Sequence, residues 1–231
     1  MAIEVVETIA LLDAALRAAG DPERAASEKD YLKSALSFYG AGMPAIRRIA
    51  QQFGRPGALE PSELHALSDA LWATGVHEHR ALAVVLLERH ERSLGNGDLG
   101  WLLALVRNSE TWAYVDSLAV HTIGPVLRRT PDAAKWLRDW ARDADFWVRR
   151  TALLAPLEDL RRGRGDFALW SELAVPMLSE KEFFIRKAIG WVLRESAPMR
   201  PAEVRAFVEE HGAVMAGLTR REAEKGLART S

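Results

Sequence analysis

Apolar residues recur at intervals of three and four along almost the whole chain, with charged residues between them. This spacing places apolar side chains on one face of an α-helix, whereas a half-buried strand would alternate residue by residue. Ala, Leu, Arg and Glu are abundant, and no pair of β-branched runs is joined by a hairpin turn. We therefore predict an all-α protein. The expected helices span residues 3–19, 24–38, 44–53, 62–74, 78–92, 98–107, 110–128, 131–142, 145–160, 167–178, 181–196, 201–211 and 219–228.

Two segments in the second half of the chain repeat one pattern of residue types. Asp145-Phe-Trp-Val-Arg-Arg150 matches Glu182-Phe-Phe-Ile-Arg-Lys187, 37 residues later, as an acid, two aromatics, a β-branched residue and two bases. The segment Trp112-Ala-Tyr-Val-Asp116 aligns less closely with the first of these, 34 residues before it. Repeats of this length with two helices each are typical of α-solenoids. We predict one domain, residues 1–231, built as a HEAT-like or armadillo-type α-solenoid superhelix with a concave face.

The repeat places Asp116, Arg150 and Lys187 at the same position on three successive helices. Stacked repeats would line these charges along one concave surface. Trp112 lies four residues before Asp116 on the same helix face, and Trp191 lies four residues after Lys187. Cations one repeat apart suit a polyanionic backbone, and indoles suit stacking on a sugar or base. A carboxylate among them would stabilise a developing positive charge.

Two adjacent arginines end the first copy of this pattern. Arg149 and Arg150 cannot both face the concave surface, because adjacent residues point in different directions on a helix. The repeat assigns Arg150 to that surface. Arg149 is therefore expected to pair with a carboxylate elsewhere.

Composition limits the compartment and the partners only loosely. The chain has no Cys, which excludes a disulfide framework and thiolate metal sites and fits a reducing cytoplasm. No apolar run approaches the ~20 residues of a membrane span, and the start lacks the basic region of a signal peptide, so we expect a cytoplasmic protein. The histidines lack metal-ligand spacing, and we expect neither a metal nor another cofactor. The net charge of −1 gives no global argument for a nucleic-acid partner.

The run Phe183-Phe-Ile-Arg-Lys-Ala-Ile-Gly-Trp-Val-Leu-Arg-Glu195 is the most specific feature of the sequence. It resembles the AlkD-like DNA alkylation repair family, a HEAT-like group of DNA glycosylases. Shorter matches occur elsewhere in the chain, in the family's order, and all the matches together span about residues 25–228. These are Tyr31–Lys33 with Phe38–Gly40, Trp112–Leu118, Trp147–Leu154 and Leu218–Ala223.

This resemblance implies excision of positively charged, ring-alkylated purines, such as 3-methyladenine and 7-methylguanine, from double-stranded DNA in the concave face. Members of the family work without a deep base pocket and usually as monomers, so we expect a monomer, with its activity associated with the nucleoid. No lysine nucleophile is required, and we therefore predict a monofunctional glycosylase. Asp116 matches its catalytic carboxylate. Trp112 and Trp191 match indoles that flank the lesion, with Tyr31 near the same surface. Arg150 matches a phosphate-contacting arginine.

Lys187 and Arg194 are further candidates for phosphate contacts, because of the helix face on which they lie.

Two positions depart from the family's pattern. Thr111 stands where the family has a second Trp, and Ala113 stands where the family often has Asp. The groove around the lesion is therefore expected to be looser. The retained Asp116 predicts that activity is kept.

The chemistry expected from the resemblance needs few protein groups. An alkylated purine already carries a positive charge, so it leaves without a general acid, and Asp116 would stabilise the oxocarbenium-like sugar or orient the attacking water. Two alternatives stay open, namely a catalytically inactive scaffold that binds damaged or bent DNA and a HEAT-like scaffold that binds only proteins. An excision assay distinguishes the inactive DNA-binding scaffold from a glycosylase. Salt-dependent DNA affinity is expected of both of these and not of a scaffold that binds only proteins.

Overall fold

The computed structural model describes residues 4–52 and 59–230. Within these ranges the chain is helical apart from its loops, and the only extended pairing is one isolated parallel bridge between Ser37 and Val76. The prediction of an all-α protein of the α-solenoid type is confirmed.

Two compact units make up the chain, one ending at Asp98 and the other beginning at Leu99. That the whole length forms one domain stays a prediction. The predicted start of the first helix at residue 3 and the predicted end of the third at residue 53 lie outside the described residues. The helices of the first unit are α1 (Val5–Ala18), α2 (Pro22–Leu32), α3 (Met43–Gln52), α4 (Pro61–Ala73) and α5 (His77–Arg89), followed by short 3₁₀ turns at Glu91–Ser93 and Asn96–Asp98.

The first unit ends α2 earlier than the sequence predicts, at Leu32 instead of residue 38. Lys33 adopts a left-handed conformation (φ 49°), which stops the helix. The chain that follows is held by Glu78, a fully buried residue of α5. Its carboxylate accepts hydrogen bonds from the backbone N–H groups of residues 39–41 at 2.6–3.3 Å. This long-range anchor gives the segment an irregular path that helical periodicity alone cannot predict.

The second unit contains the helices that carry the repeat. Its elements are α6 (Leu99–Arg107), α7 (Trp112–Ser117), α8 (Gly124–Arg128), α9 (Ala133–Ala141), α10 (Phe146–Leu154), α11 (Leu157–Leu160), α12 (Phe167–Ala174), α13 (Phe183–Ser196), α14 (Pro201–His211) and α15 (Gly217–Leu227), with a π-helical segment at Leu118–Ile123 and 3₁₀ turns at Val175–Met177 and Ala228–Thr230. The prediction of 201–211 is confirmed to the residue, whereas 110–128, 145–160 and 167–178 are each divided into shorter segments.

The helices of the second unit pack in sequence order. We name the succession of α7, α10, α13 and α15 the site row, because each of these helices contacts the next. The helices α9, α12 and α14 pack behind the site row. Buried side chains such as Leu153, Trp170, Ile189 and Phe207 fill the space between the two rows. Burial of these apolar side chains between the two rows stabilises the stacked helices.

Ion pairs confirm the repeat independently of the apolar core. Several arginines of the second unit pair with a carboxylate that lies 31–36 residues further along the chain. Such separations are one repeat long, so equivalent positions of neighbouring repeats meet in space. The pairs are Arg107–Asp143, Arg128–Asp159, Arg138–Glu172 and Arg149–Glu180.

The helix that carries Asp116 begins at Trp112 instead of residue 110. Thr111 caps it, since the Thr111 hydroxyl accepts a hydrogen bond from the backbone N–H of Ala113 at 3.3 Å. Glu110 adopts a left-handed conformation (φ 56°) immediately before the cap. The Thr111 position that departs from the family's pattern therefore has a structural role in starting α7.

Beyond Ser117 this helix widens into the π-helical segment Leu118–Ile123 and then continues as α8. Pro125, in the first turn of α8, has no N–H and its ring clashes with the carbonyl four residues before it. The wider π turn avoids that clash. A Cβ on the neighbouring Gly124 would lie 2.3 Å from the Ala155 carbonyl oxygen, so the glycine allows a close approach to the end of α10.

Glycine also sets the contact between α13 and α15. We expect Gly226→Ala to destabilise the protein by about 1–3 kcal/mol through overpacking, because the new Cβ would lie 2.6 Å from the Arg194 carbonyl oxygen. Gly100 on α6 is a matched control, since a Cβ there meets nothing within 4 Å. Gly100→Ala should stabilise the protein by up to about 1 kcal/mol through helix propensity. Urea unfolding measures both changes, and equal values for the two variants would contradict the prediction.

Candidate functional site

A cleft of about 320 Å³ opens on the site row of the second unit. This volume is at the lower end of the range for small-molecule sites. Its walls come from one helix of each successive repeat, and they include every predicted site residue except Tyr31. The lining residues are Trp112, Asp116, Arg150, Phe184, Lys187, Trp191, Arg194, Leu218 and Glu222. Tyr31 lies in the first unit near the end of α2, where it is 72% exposed, and its contact with DNA stays a prediction.

Asp116 is oriented by Arg150 of the neighbouring repeat. The Arg150 Nε donates to Asp116 Oδ1 at 2.7 Å, and Nη2 donates to Oδ2 at 2.8 Å. The remaining Nη1 donates to the carbonyl oxygen of Phe184. Arg150 is 1% exposed, whereas the Asp116 side chain keeps 18% of its surface open. The bidentate pair therefore fixes the carboxylate from beneath and leaves it accessible from the cleft.

The predicted role of Arg150 as a phosphate contact stays a prediction, and the structure adds a second role for it. Its guanidinium is buried beneath Asp116, and all three of its nitrogens donate to protein acceptors. These three bonds hold the guanidinium beneath the carboxylate of Asp116. Arg149 shows the outcome expected for it, because it forms a bidentate pair with Glu180 at 2.8 and 3.1 Å.

Lys187 lies at the rim of the cleft between two aromatic rings. Its Nζ is 5.9 Å from the centroid of the Trp112 ring and 5.8 Å from that of Phe183. These distances are near the outer limit of a cation–π contact. Lys187 itself is exposed, so its ammonium is accessible to an anion in the cleft. Trp191 lines the same cleft but also packs partly against the core of the unit.

Arg194 is held by carboxylates on the opposite helix and on its own. Its Nη1 donates to Glu222, and its Nε donates to Glu195 Oε1 at 3.0 Å. Glu222 also accepts a hydrogen bond from Lys225 Nζ at 2.7 Å. That hydrogen bond and the nearby Arg194 lower the pKa of the Glu222 carboxyl, although burial opposes them. Glu222 is therefore an anion in the cleft wall at neutral pH.

Sequence reasoning missed Glu222 as a cleft residue. The repeat that relates Asp116, Arg150 and Lys187 reaches Glu222 when it is extended by 35 residues beyond Lys187. The chemical pattern of the segment changes there, from aromatic and basic to polar. The spacings of 34 and 37 residues within the repeat lead from Lys187 to positions 221 and 224, so they bracket Glu222 without identifying it.

Two negative findings apply to residues 4–52 and 59–230. No group of three or more His, Asp or Glu side chains in those ranges is arranged to hold a metal ion. In the same part of the chain, every helix is too short or too polar to cross a membrane.

Comparison with known proteins extends over nearly the whole chain. A family model described as DNA alkylation repair enzyme matches residues 12–227. The structure of a predicted DNA alkylation repair enzyme from Enterococcus faecalis is similar, with a TM-score of 0.78 and 24% identity over 91% of this chain and 97% of that one. The smu.31 protein of Streptococcus mutans UA159 shares the fold more distantly, with a TM-score of 0.56 and 15% identity over 82% and 91% of the two chains. Comparison with functionally curated proteins gives no significant match.

Proposed function

Because the chain belongs to the DNA alkylation repair enzyme family, we propose that it is a monofunctional glycosylase that removes positively charged alkylated purines from double-stranded DNA. The substrates would be bases of the 3-methyladenine and 7-methylguanine type. The main support for this proposal is the position of the Asp116 carboxylate. The carboxylate of Asp116, fixed by the buried Arg150, faces a cleft that Trp112 and Trp191 line.

The geometry of Asp116 suits hydrolysis of a glycosidic bond whose leaving group is already a cation. The bond between the sugar C1′ and the base nitrogen breaks, and its electron pair neutralises the base, so no general acid is needed. Positive charge then builds on the sugar, where Asp116 would stabilise it. Water adds to C1′ and loses a proton to Asp116 or to solvent. Because water is the nucleophile, no lysine has to form a covalent intermediate.

Arg150 would contribute by holding the carboxylate in one orientation. A charge-assisted bidentate pair restricts both carboxylate oxygens, so Asp116 need not reorganise when charge develops on the sugar. Arg150 also balances the charge of Asp116 while the cleft is empty. A single carboxylate near DNA phosphates would otherwise be costly.

Contacts to DNA would come from the rings and the exposed cation of the cleft. Trp112 and Trp191 offer surfaces for a sugar or base, and Lys187 offers an ammonium for the backbone. We propose exposed Tyr31 on the first unit as a further DNA contact.

The proposed backbone contact of Lys187 leads to a quantitative prediction. Lys187→Gln should weaken binding to duplex DNA and reduce the slope of log affinity against log salt concentration by about 0.9, the value for one phosphate. Lys135 is a matched control, because it is an exposed lysine of α9 outside the cleft. Lys135→Gln makes the same change in net charge and should leave the slope nearly unaltered. Fluorescence anisotropy of a labelled duplex measures both, and identical slopes for the two variants would exclude the contact.

The experiment that tests the function is release of purines from duplex DNA treated with a methylating agent. Chromatography should show free alkylated bases and an abasic strand that stays intact until it is treated with base. Salt-dependent DNA binding without base release would favour a non-catalytic scaffold. The absence of both would favour a scaffold for proteins.

A further inference from the structure

We propose that Glu222 is a specificity-determining residue, which binds the guanidinium of Arg194 and keeps that charge away from the backbone of undamaged DNA. This inference rests on the proposed function, because it requires DNA in the cleft. It also gives Arg194 a different role from the permanent phosphate contact that its helix face suggests.

The packing of α13 against α15 places Glu222 beside Arg194. A Cβ on Gly190 would lie 3.0 Å from the Cβ of Glu222, so the glycine leaves room for the glutamate on the surface of α13. The Thr219 hydroxyl donates to the Arg186 carbonyl at 3.0 Å and so joins the two helices about one turn of α15 before Glu222. Glu222 is consequently mostly buried, with 13% of its side chain exposed.

Two carboxylates engage the single guanidinium. Arg194 Nη1 donates to Glu222, and Nε donates to Glu195 at 3.0 Å. Lys225 donates to Glu222 at 2.7 Å and helps to lower the pKa of its carboxyl, so the pair persists throughout the neutral range. The charge of Arg194 is therefore balanced inside the cleft wall.

Lys187 provides the contrast on the same helix. It lies seven residues before Arg194, two turns away on the same face of α13. The contacts of its ammonium described above are with aromatic rings, and the residue is exposed. One cation of this face is thus available to a phosphate, whereas the other is already neutralised.

This difference matters because phosphate contacts dominate the binding of undamaged DNA. Specificity is the ratio between binding at the target and binding elsewhere. Holding Arg194 lowers the non-specific affinity without altering Asp116 or Trp112. The carboxylate of Glu222 therefore raises specificity by lowering the affinity for undamaged DNA.

The test uses the full chain and a labelled undamaged duplex, with binding measured from about 50 to 200 mM salt. The variants are Glu222→Gln, Arg194→Met and the double variant. Glu224→Gln is the matched control, since it makes the same charge change on α15 and also releases an arginine, Arg220, outside the cleft. Urea unfolding of each variant establishes that it is folded under the binding conditions.

We expect Glu222→Gln to bind undamaged DNA several-fold more tightly and to steepen the salt slope by about 0.9, equivalent to one added phosphate contact. The double variant should return to the slope of the wild type, and the control should not change it. Equal effects of Glu222→Gln and Glu224→Gln would overturn the inference, as would a gain that survives in the double variant. Weaker binding by Glu222→Gln would also overturn it, because it would mean that Glu222 presents Arg194 to DNA. If the wild-type protein has no salt-dependent DNA affinity, the proposed function fails as well.

Discussion

Asp116→Asn is expected to reduce the release of alkylated purines from duplex DNA by at least about 100-fold, the usual cost of losing one group that stabilises developing charge. The amide keeps the shape of the carboxylate but not its negative charge. It therefore cannot stabilise a sugar that becomes cationic as the base leaves. Single-turnover rates on methylated duplex DNA measure the effect. Binding to the same duplex should be retained, because Trp112, Trp191 and Lys187 remain in place.

Asp159→Asn is the control for this experiment. Asp159 also pairs with arginines of the second unit, Arg128 and Arg164, and its side chain is 19% exposed, against 18% for Asp116. It lies outside the cleft, so the variant should keep the wild-type rate. Undiminished turnover by Asp116→Asn would disprove the mechanism. Equal losses in the two variants would mean that they reflect stability and not chemistry.

Arg150→Ala is expected to destabilise the protein by about 3–5 kcal/mol, the cost of removing one partner from a buried ion pair. The change leaves Asp116 without its counter-charge, deprives the Phe184 carbonyl of a donor and opens a cavity in the second unit. The protein that stays folded should also release bases more slowly, because the carboxylate is no longer oriented. Thermal or urea unfolding and single-turnover rates measure the two effects.

Arg138→Ala is the matched control for stability. Arg138 forms a bidentate pair with Glu172, and its sequence separation of 34 residues equals that of Arg150 and Asp116. Its side chain is 42% exposed and that of Glu172 is 49% exposed, so water replaces the interaction readily. Similar destabilisation by the two substitutions would show that burial of Arg150 contributes little.

The sequence predicts the site well where the repeat determines position. Helical periodicity gives the all-α fold, and the spacing of Asp116, Arg150 and Lys187 is sufficient to bring them to one cleft. The same spacing predicts that Arg149 pairs elsewhere, which the contact with Glu180 confirms. The helix face on which a residue lies does not determine how deeply its side chain is buried, however. Arg150 faces the cleft but lies beneath Asp116, and no sequence pattern distinguishes a buried guanidinium from an exposed one.

Periodicity predicts helix boundaries less well, because local changes of hydrogen bonding and contacts distant in sequence both set them. The helix expected at 110–128 contains a π-helical segment next to Pro125, and periodicity does not register that change of hydrogen bonding. The helix expected at 24–38 ends at Leu32, because Glu78 binds the following loop from a helix about 40 residues away. The sequence does not single out Glu222, because the two repeat spacings only bracket its position and its residue type does not continue the aromatic and basic pattern.

The anchoring carboxylate of Glu78 has a consequence for how the first unit opens. Three consecutive amide hydrogens, at residues 39–41, depend on one side chain of α5. They cannot separate from it one at a time without leaving a buried anion short of donors. Deuterium from solvent should therefore enter these amides together, when α5 undocks and not when the loop fluctuates. A stretch without regular secondary structure thus belongs to the slowest-exchanging part of its unit.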